Sequence, residues 1–158
     1  MRRRERGFTL VELMVVIAII ALLAAILFPN LKAYMNRSKV TALITAGREI
    51  ATGLTTMYIN KTDGNYPTVS EAKNSLDVNK KDPFTGAKVL DELYYAHDGI
   101  YYLYNSQWSS DNGIKKAMES MAKGDCASAL GAGTSTTPAV IIDISGSDTS
   151  SGTVYVCK

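Results

Sequence analysis

A single carboxylate interrupts the most apolar stretch of the chain. Between Phe8 and Phe28 only Thr9 and Glu12 are polar, across 21 residues. A lone carboxylate inside such a span costs roughly 2.5–3.5 kcal/mol on insertion scales. A chain that needed only an anchor would be better served by Leu or Val at position 12. The chemistry this group offers is charge pairing where water is scarce, with a cation as its partner. The other residues able to do chemistry are few. Cys126 and Cys157 are the two cysteines, with no CxxCH for haem and no His/Cys cluster for zinc. His97 stands beside Asp98 in a turn with no nucleophile near it, and reads as structural. Asp143 and Asp148, with neighbouring Ser and Thr oxygens, are calcium candidates, although two acids in a turn-rich segment are ordinarily solvated turn residues. No catalytic constellation emerges, no cofactor is implied, and the chain reads as a non-enzyme.

The elements that position these groups follow from charge and periodicity. Arg2, Arg3, Arg4 and Arg6 precede the apolar run, and removing residues 1–7 leaves 13 basic against 14 acidic side chains in the remainder. The body is therefore near neutral, with no basic stripe of the kind nucleic-acid binding requires. A basic cluster before an apolar run reads as a signal peptide or as a membrane anchor with its N-terminus in the cytoplasm. No A-x-A triplet follows the run, which favours retention of the helix in the membrane and export of everything after it. An exported chain places Cys126 and Cys157 where a disulfide forms, with two free thiols as the alternative. Closing a loop of about 32 residues would contribute roughly 3–4 kcal/mol in the chain-entropy model.

Beyond Pro29 the apolar positions continue at Leu43, Gly47, Ile50, Leu54 and Met57, the 4-3-4-3 stripe of an amphipathic helix. Pro29 is expected to kink this helix rather than stop it, and Gly47 and Gly53 to weaken its second half. The turn-forming Asp63-Gly64-Asn65 should end it near residue 60. A short helix is expected over 70–76, a turn at DPFTG (82–86), and a hairpin from LYYA (93–96) and IYYLYN (100–105). Asp111-Asn112 should cap a helix over GIKKAMESMAK (113–123), and AVIIDI (139–144) and TVYVC (153–157) read as strands. The class is α+β: one long helix and an antiparallel sheet of about four strands. Tyr94, Tyr95, Tyr101, Tyr102 and Tyr104 are ordinary for half-buried strands, and Trp108 reads as a core or edge aromatic.

The leader ending in Gly7, then Phe8, then Glu12 as the fifth residue of GFTLVEL's mature part, then the apolar stretch with Pro29 near its end, resembles the type IV pilins and their relatives, the type II secretion pseudopilins. The resemblance covers about residues 1–35. It implies the pilin fold and four regions: a cleaved leader (1–7), a membrane and filament-core helix (8–28), the amphipathic half of the same helix (29–60), and a head with a C-terminal disulfide loop (61–158). It further implies cleavage between Gly7 and Phe8 by a prepilin peptidase, N-methylation of Phe8, and assembly by a platform and its ATPase motor. The product would be an extracellular helical homopolymer in which Glu12 pairs with the Phe8 amine of a neighbouring subunit. A disulfide loop near the C-terminus resembles the pilin side of the family. DPFTG loosely resembles a loop of the major pseudopilins, which carry calcium. The runner-up is accordingly a pseudopilin of a type II secretion system, and a membrane-tethered domain of other function stands behind it.

Overall fold

The computed structural model describes residues 7–131, 137–146 and 152–158. One helix, α1 (Leu10–Asn60), runs for 51 residues. It is followed by α2 (Val69–Ser75), a 3-10 turn (Val89–Glu92), β1 (Leu93–His97), β2 (Ile100–Leu103), α3 (Ser106–Ser110) and α4 (Asn112–Met121). The chain closes with β3 (Ala122–Gly124), α5 (Cys126–Leu130), β4 (Ala139–Asp143) and β5 (Thr153–Cys157). Two compact units divide the chain, one ending at Met35 and one running from Asn36 to Lys158. The division thus falls inside the stretch 29–60. The kink expected at Pro29 falls on a position whose side chain lies outside the described residues.

Within the second unit, the stripe on α1 becomes a core. Val40, Leu43, Ala46, Ile50, Ala51 and Leu54 are buried together with Tyr101, Leu103, Val140, Ile142 and Val156 of the sheet. The glycines on α1 do more than weaken it. A Cβ on Gly47 would stand 3.0 Å from Val154 Cγ1, and one on Gly53 would meet Leu76 Cδ2 at 2.5 Å. At both positions the missing side chain is what lets neighbouring groups close onto the helix, which outweighs the propensity lost.

The five strands lie in the order β1-β2-β4-β5-β3. Pairings β1/β2, β2/β4 and β4/β5 are antiparallel. Alternation along the strands sends Tyr101, Leu103, Val140 and Ile142 to the α1 side. Ala139, Ile141 and Cys157 go to the other face, under Cys126 and Leu130 of α5. β4 is therefore covered on both faces, which explains its uninterrupted apolar run.

Two features depart from the expected four antiparallel strands. Residues 122–123 do not extend α4; they enter β3, which pairs parallel to β5 (Ala122 with Val156, Gly124 with Cys157). Ala and Lys are good helix formers, but here the sheet edge overrides local preference, helped by Lys158 N–H donating to Gly124 O at 3.1 Å. The second departure is two extra helices of five residues each, α3 and α5, capped by the Asn105 and Asp125 side chains. α5 takes up the start of the Gly/Ser/Thr-rich stretch of sequence that reaches Thr137.

Candidate functional site

At the start of α1, residues 7–9 are non-helical and Leu10 is the first helical residue. Thr9 and Glu12 close a reciprocal cap across this end. Thr9 Oγ1 accepts from the Glu12 backbone N–H at 3.2 Å. Glu12 Oε2 accepts from the Thr9 backbone N–H at 2.9 Å and from the Thr9 hydroxyl at 2.8 Å. This is the capping-box arrangement, in which two orphan donors of the first turn are satisfied at once. A carboxylate here also lies at the positive end of the helix dipole. Glu12 Oε1 makes no hydrogen bond among the described residues, so one oxygen remains available to a cation. Thr9, which completes this cap, is not among the candidate residues drawn from the sequence. Its signal was present, as Thr-x-x-Glu ahead of an apolar run.

The surface around this cap is apolar and uncovered. Phe8 is 85% exposed, and the large apolar side chains from Leu10 to Phe28 are exposed around the helix, Leu22 at 67% and Phe28 at 71%. Leu10–Phe28 is long and apolar enough to cross a membrane by length and composition. An exposed apolar surface on this scale marks a site of contact with lipid or protein.

The other candidate residues belong to the second unit, Asn36–Lys158. Cys126 and Cys157 form a disulfide, with Cα atoms 4.9 Å apart. Both cysteines are fully buried, and the bridge ties α5 to β5. The Asp143 carboxylate accepts from the Ser145 backbone N–H at 2.9 Å and from its hydroxyl at 2.6 Å, which is turn capping rather than a cation cradle. Its companion candidate, Asp148, lies outside the described residues. Among the described residues no group of three or more His, Cys, Asp and Glu side chains could hold a metal ion.

His97 Nδ1 lies 3.5 Å from Asp98 Oδ2 on the exposed hairpin tip. Asp98 and Gly99 hold positive φ angles of 43° and 80° there, as a two-residue hairpin turn requires. The tyrosines pair with one another: Tyr94 stacks on Tyr102 at 5.3 Å, and Tyr95 meets Tyr101 edge-on at 5.1 Å. Tyr101 is buried, and its hydroxyl donates to the Pro67 carbonyl. Burial raises its pKa above the ordinary tyrosine value.

Comparison with known proteins addresses the same end of the chain. Residues 2–28 match the family model for the prokaryotic N-terminal methylation motif. The chain is 34% identical over 122 residues to a fimbrial protein of Moraxella nonliquefaciens, covering 72% of this chain and 75% of that protein. It is 38% identical over 64 residues to the type IV major fimbrial protein FimA of Dichelobacter nodosus, or 40% of this chain and 41% of that one. With the type IV wide pilus major component PilA4 of Thermus thermophilus it shares 46% identity over 70 residues, 44% of this chain and 51% of the relative. No solved structure matches the chain.

Proposed function

Because the chain belongs to the type IV pilins, a family of structural subunits rather than enzymes, we propose that it is cut between Gly7 and Phe8, methylated on the new Phe8 amine, and polymerised through its N-terminal helix. The observation that carries this reading is the uncovered apolar surface from Leu10 to Phe28 with one carboxylate in its first turn. Apolar helices can slide past one another, so burial alone does not set an axial register. A charge pair does, because a misplaced charge in a dry core is strongly penalised.

Cleavage supplies the missing cation. Hydrolysis of the Gly7–Phe8 peptide bond turns the Phe8 amide nitrogen into an ammonium, and N-methylation keeps that charge. An ammonium at a helix N-terminus is disfavoured by the dipole. Glu12 lies one turn away at i+4 and can offset it within its own chain while the subunit waits in the inner membrane. In the filament, the same carboxylate pairs with the Phe8 amine of a neighbouring subunit. A prepilin peptidase, an assembly platform and an ATPase motor are the partners this route requires. The relatives' names speak of pili and fimbriae, which favours an extracellular pilus over a periplasmic pseudopilus.

Mass spectrometry of subunits from sheared surface filaments tests the reading. The expected N-terminus is Phe8, carrying one added methyl group. Chains isolated with Met1 attached and no polymer would overturn it and leave a plain membrane tether.

A further inference from the structure

Within the second unit, two carboxyl groups are buried together. Asp82 is 1% exposed and Glu92 5% exposed. The turn after Asp82 is closed by Asp82 N–H to Ala87 O and Gly86 N–H to Asp82 O, both 2.8 Å. The 3-10 turn Val89–Glu92 then returns the chain to the same place. Thr85 Oγ1 stands between the acids, 2.7 Å from Asp82 Oδ2 and 3.1 Å from Glu92 Oε1.

Counting protons shows one missing. Asp82 receives three: the Phe84 backbone N–H at 2.8 Å, the Trp108 indole N–H at 2.9 Å, and the Thr85 hydroxyl at the shorter of its two contacts. Glu92 receives one, from Asn105 Nδ2 at 2.7 Å. The Thr85 hydroxyl has a single hydrogen, so its contact with Glu92 lacks one if Glu92 is ionised. Glu92 Oε2 is buried with no partner. No cation supplies the deficit among the described residues. Lys39 of α1 stands over the Phe84 ring, 5.3 Å from its centroid. Lys73 of α2 donates to the Asp91 carbonyl, and Lys80, beside the turn, pairs with Glu49 at 3.3 Å. Asp91, next in sequence to Glu92, adds negative charge. A bound divalent cation would face the N–H groups of Phe84 and Trp108, which repel it.

We propose that Asp82 and Glu92 form a proton-binding site in the head, with one proton carried by Glu92 and acting as the closing bolt between the Asp82–Ala87 turn, Asn105 and the Trp108 anchor. Burial is the leading cause that pushes Glu92 up to about 7, and the Asp82 charge adds to it against the Asn105 hydrogen bond. The folded value lies above the unfolded one, so the stabilisation is complete below the ordinary glutamate range. It is lost as pH rises through about 7. The exported head is thereby tighter in acid surroundings than in alkaline ones.

Trp108 is the only tryptophan and reports on the site directly. In the full chain held in detergent micelles, its indole N–H resonance is followed from about pH 5 to about pH 9, a window bracketing the raised carboxyl. One step with a midpoint near 7 is expected, absent in Glu92→Gln, which should also melt higher than wild type on the alkaline side. His97 contacts Asp98 on the exposed hairpin tip and is not one of the groups that touch Asp82, Glu92 or Trp108 among the described residues. No step at Trp108, a step that persists in Glu92→Gln, or recovery of the alkaline melting temperature by millimolar calcium would each overturn the proposal. Should Glu92→Gln fail to fold, the infrared band of a protonated carboxyl in the wild type decides. Its presence at about pH 6 and disappearance by about pH 8 are expected, and its absence at both refutes the site.

Discussion

The chain uses the same four-residue device twice, at Thr9–Glu12 and at Thr68–Glu71, and the two copies differ in what surrounds them. In both, the Thr hydroxyl accepts from the Glu backbone N–H at 3.2 Å while the Glu carboxylate reaches back to the Thr N–H. Glu71 also holds Lys61, whose Nζ lies 3.0 and 3.1 Å from its two oxygens. No cation reaches Glu12 among the described residues. The surroundings differ in the same sense: the head buries Leu43, Ile50 and Leu54 completely, whereas Leu10, Leu13 and Leu22 are more than half exposed. One box is complete within its own chain. The other has its local donors but, among the described residues, neither a counter-ion nor a covering surface.

The largest effect expected from this contrast is at assembly. Glu12→Val removes the carboxylate while leaving an apolar helix, so a Phe8 amine in the filament core would lose its partner. Breaking one side of a buried pair costs about 3–5 kcal/mol, on the order of 10²–10⁴ in the equilibrium for adding a subunit. Surface filaments should disappear from sheared fractions, while processed protein accumulates in the membrane with an unchanged melting temperature for the head. Filaments at wild-type yield would show that Glu12 is only a helix cap.

A paired substitution sharpens the contrast in the apolar residues. Leu54→Ala empties a fully buried site and should lower head stability by about 2–5 kcal/mol, read by chemical unfolding followed at Trp108. Leu22→Ala, at 67% exposure, should leave that unfolding curve in place and register only in membrane retention or filament yield. If both move the curve equally, the apolar segment supports the head and is not a surface awaiting a partner.

How much of this was legible in the sequence depended on whether the signal was local. The 4-3-4 spacing from Leu43 to Leu54 names the buried face of α1 because helical period is written in one segment. AVIID read as a strand for the same reason, and two cysteines in an exported chain offered a single intramolecular pairing. β3 was hidden because three residues carry no pattern, and Ala122 and Lys123 enter the sheet only through the partner strand β5. The Asp82–Glu92 site was hidden more deeply. DPFTG announces a turn, but the site also needs Asn105, which donates to Glu92, and Trp108, which donates to Asp82, from α3 and its cap. Thr9 is legible as the first residue of Thr-x-x-Glu ahead of an apolar run, a local capping signal.

The smallest expected effect tests the completed box. Glu71 is held at about 2, below its ordinary value, chiefly by the Thr68 backbone N–H and then by Lys61 and the Thr68 hydroxyl. A folded value below the unfolded one means the contribution is present above the ordinary glutamate range and lost as pH falls toward about 2. Exposed to solvent, the group supplies only a modest share of stability, because water and salt screen its pairing with Lys61. Glu71→Gln should therefore melt slightly below wild type at neutral pH, with the gap closing as the solution is acidified and vanishing once the carboxyl is protonated in both states. Salt should narrow the gap at neutral pH by weakening the Lys61 pairing, but leave the part due to the Thr68 N–H. A gap that persists unchanged in strong acid would mean that the side chain acts there by shape, and that charge does not distinguish this box from the one at Glu12.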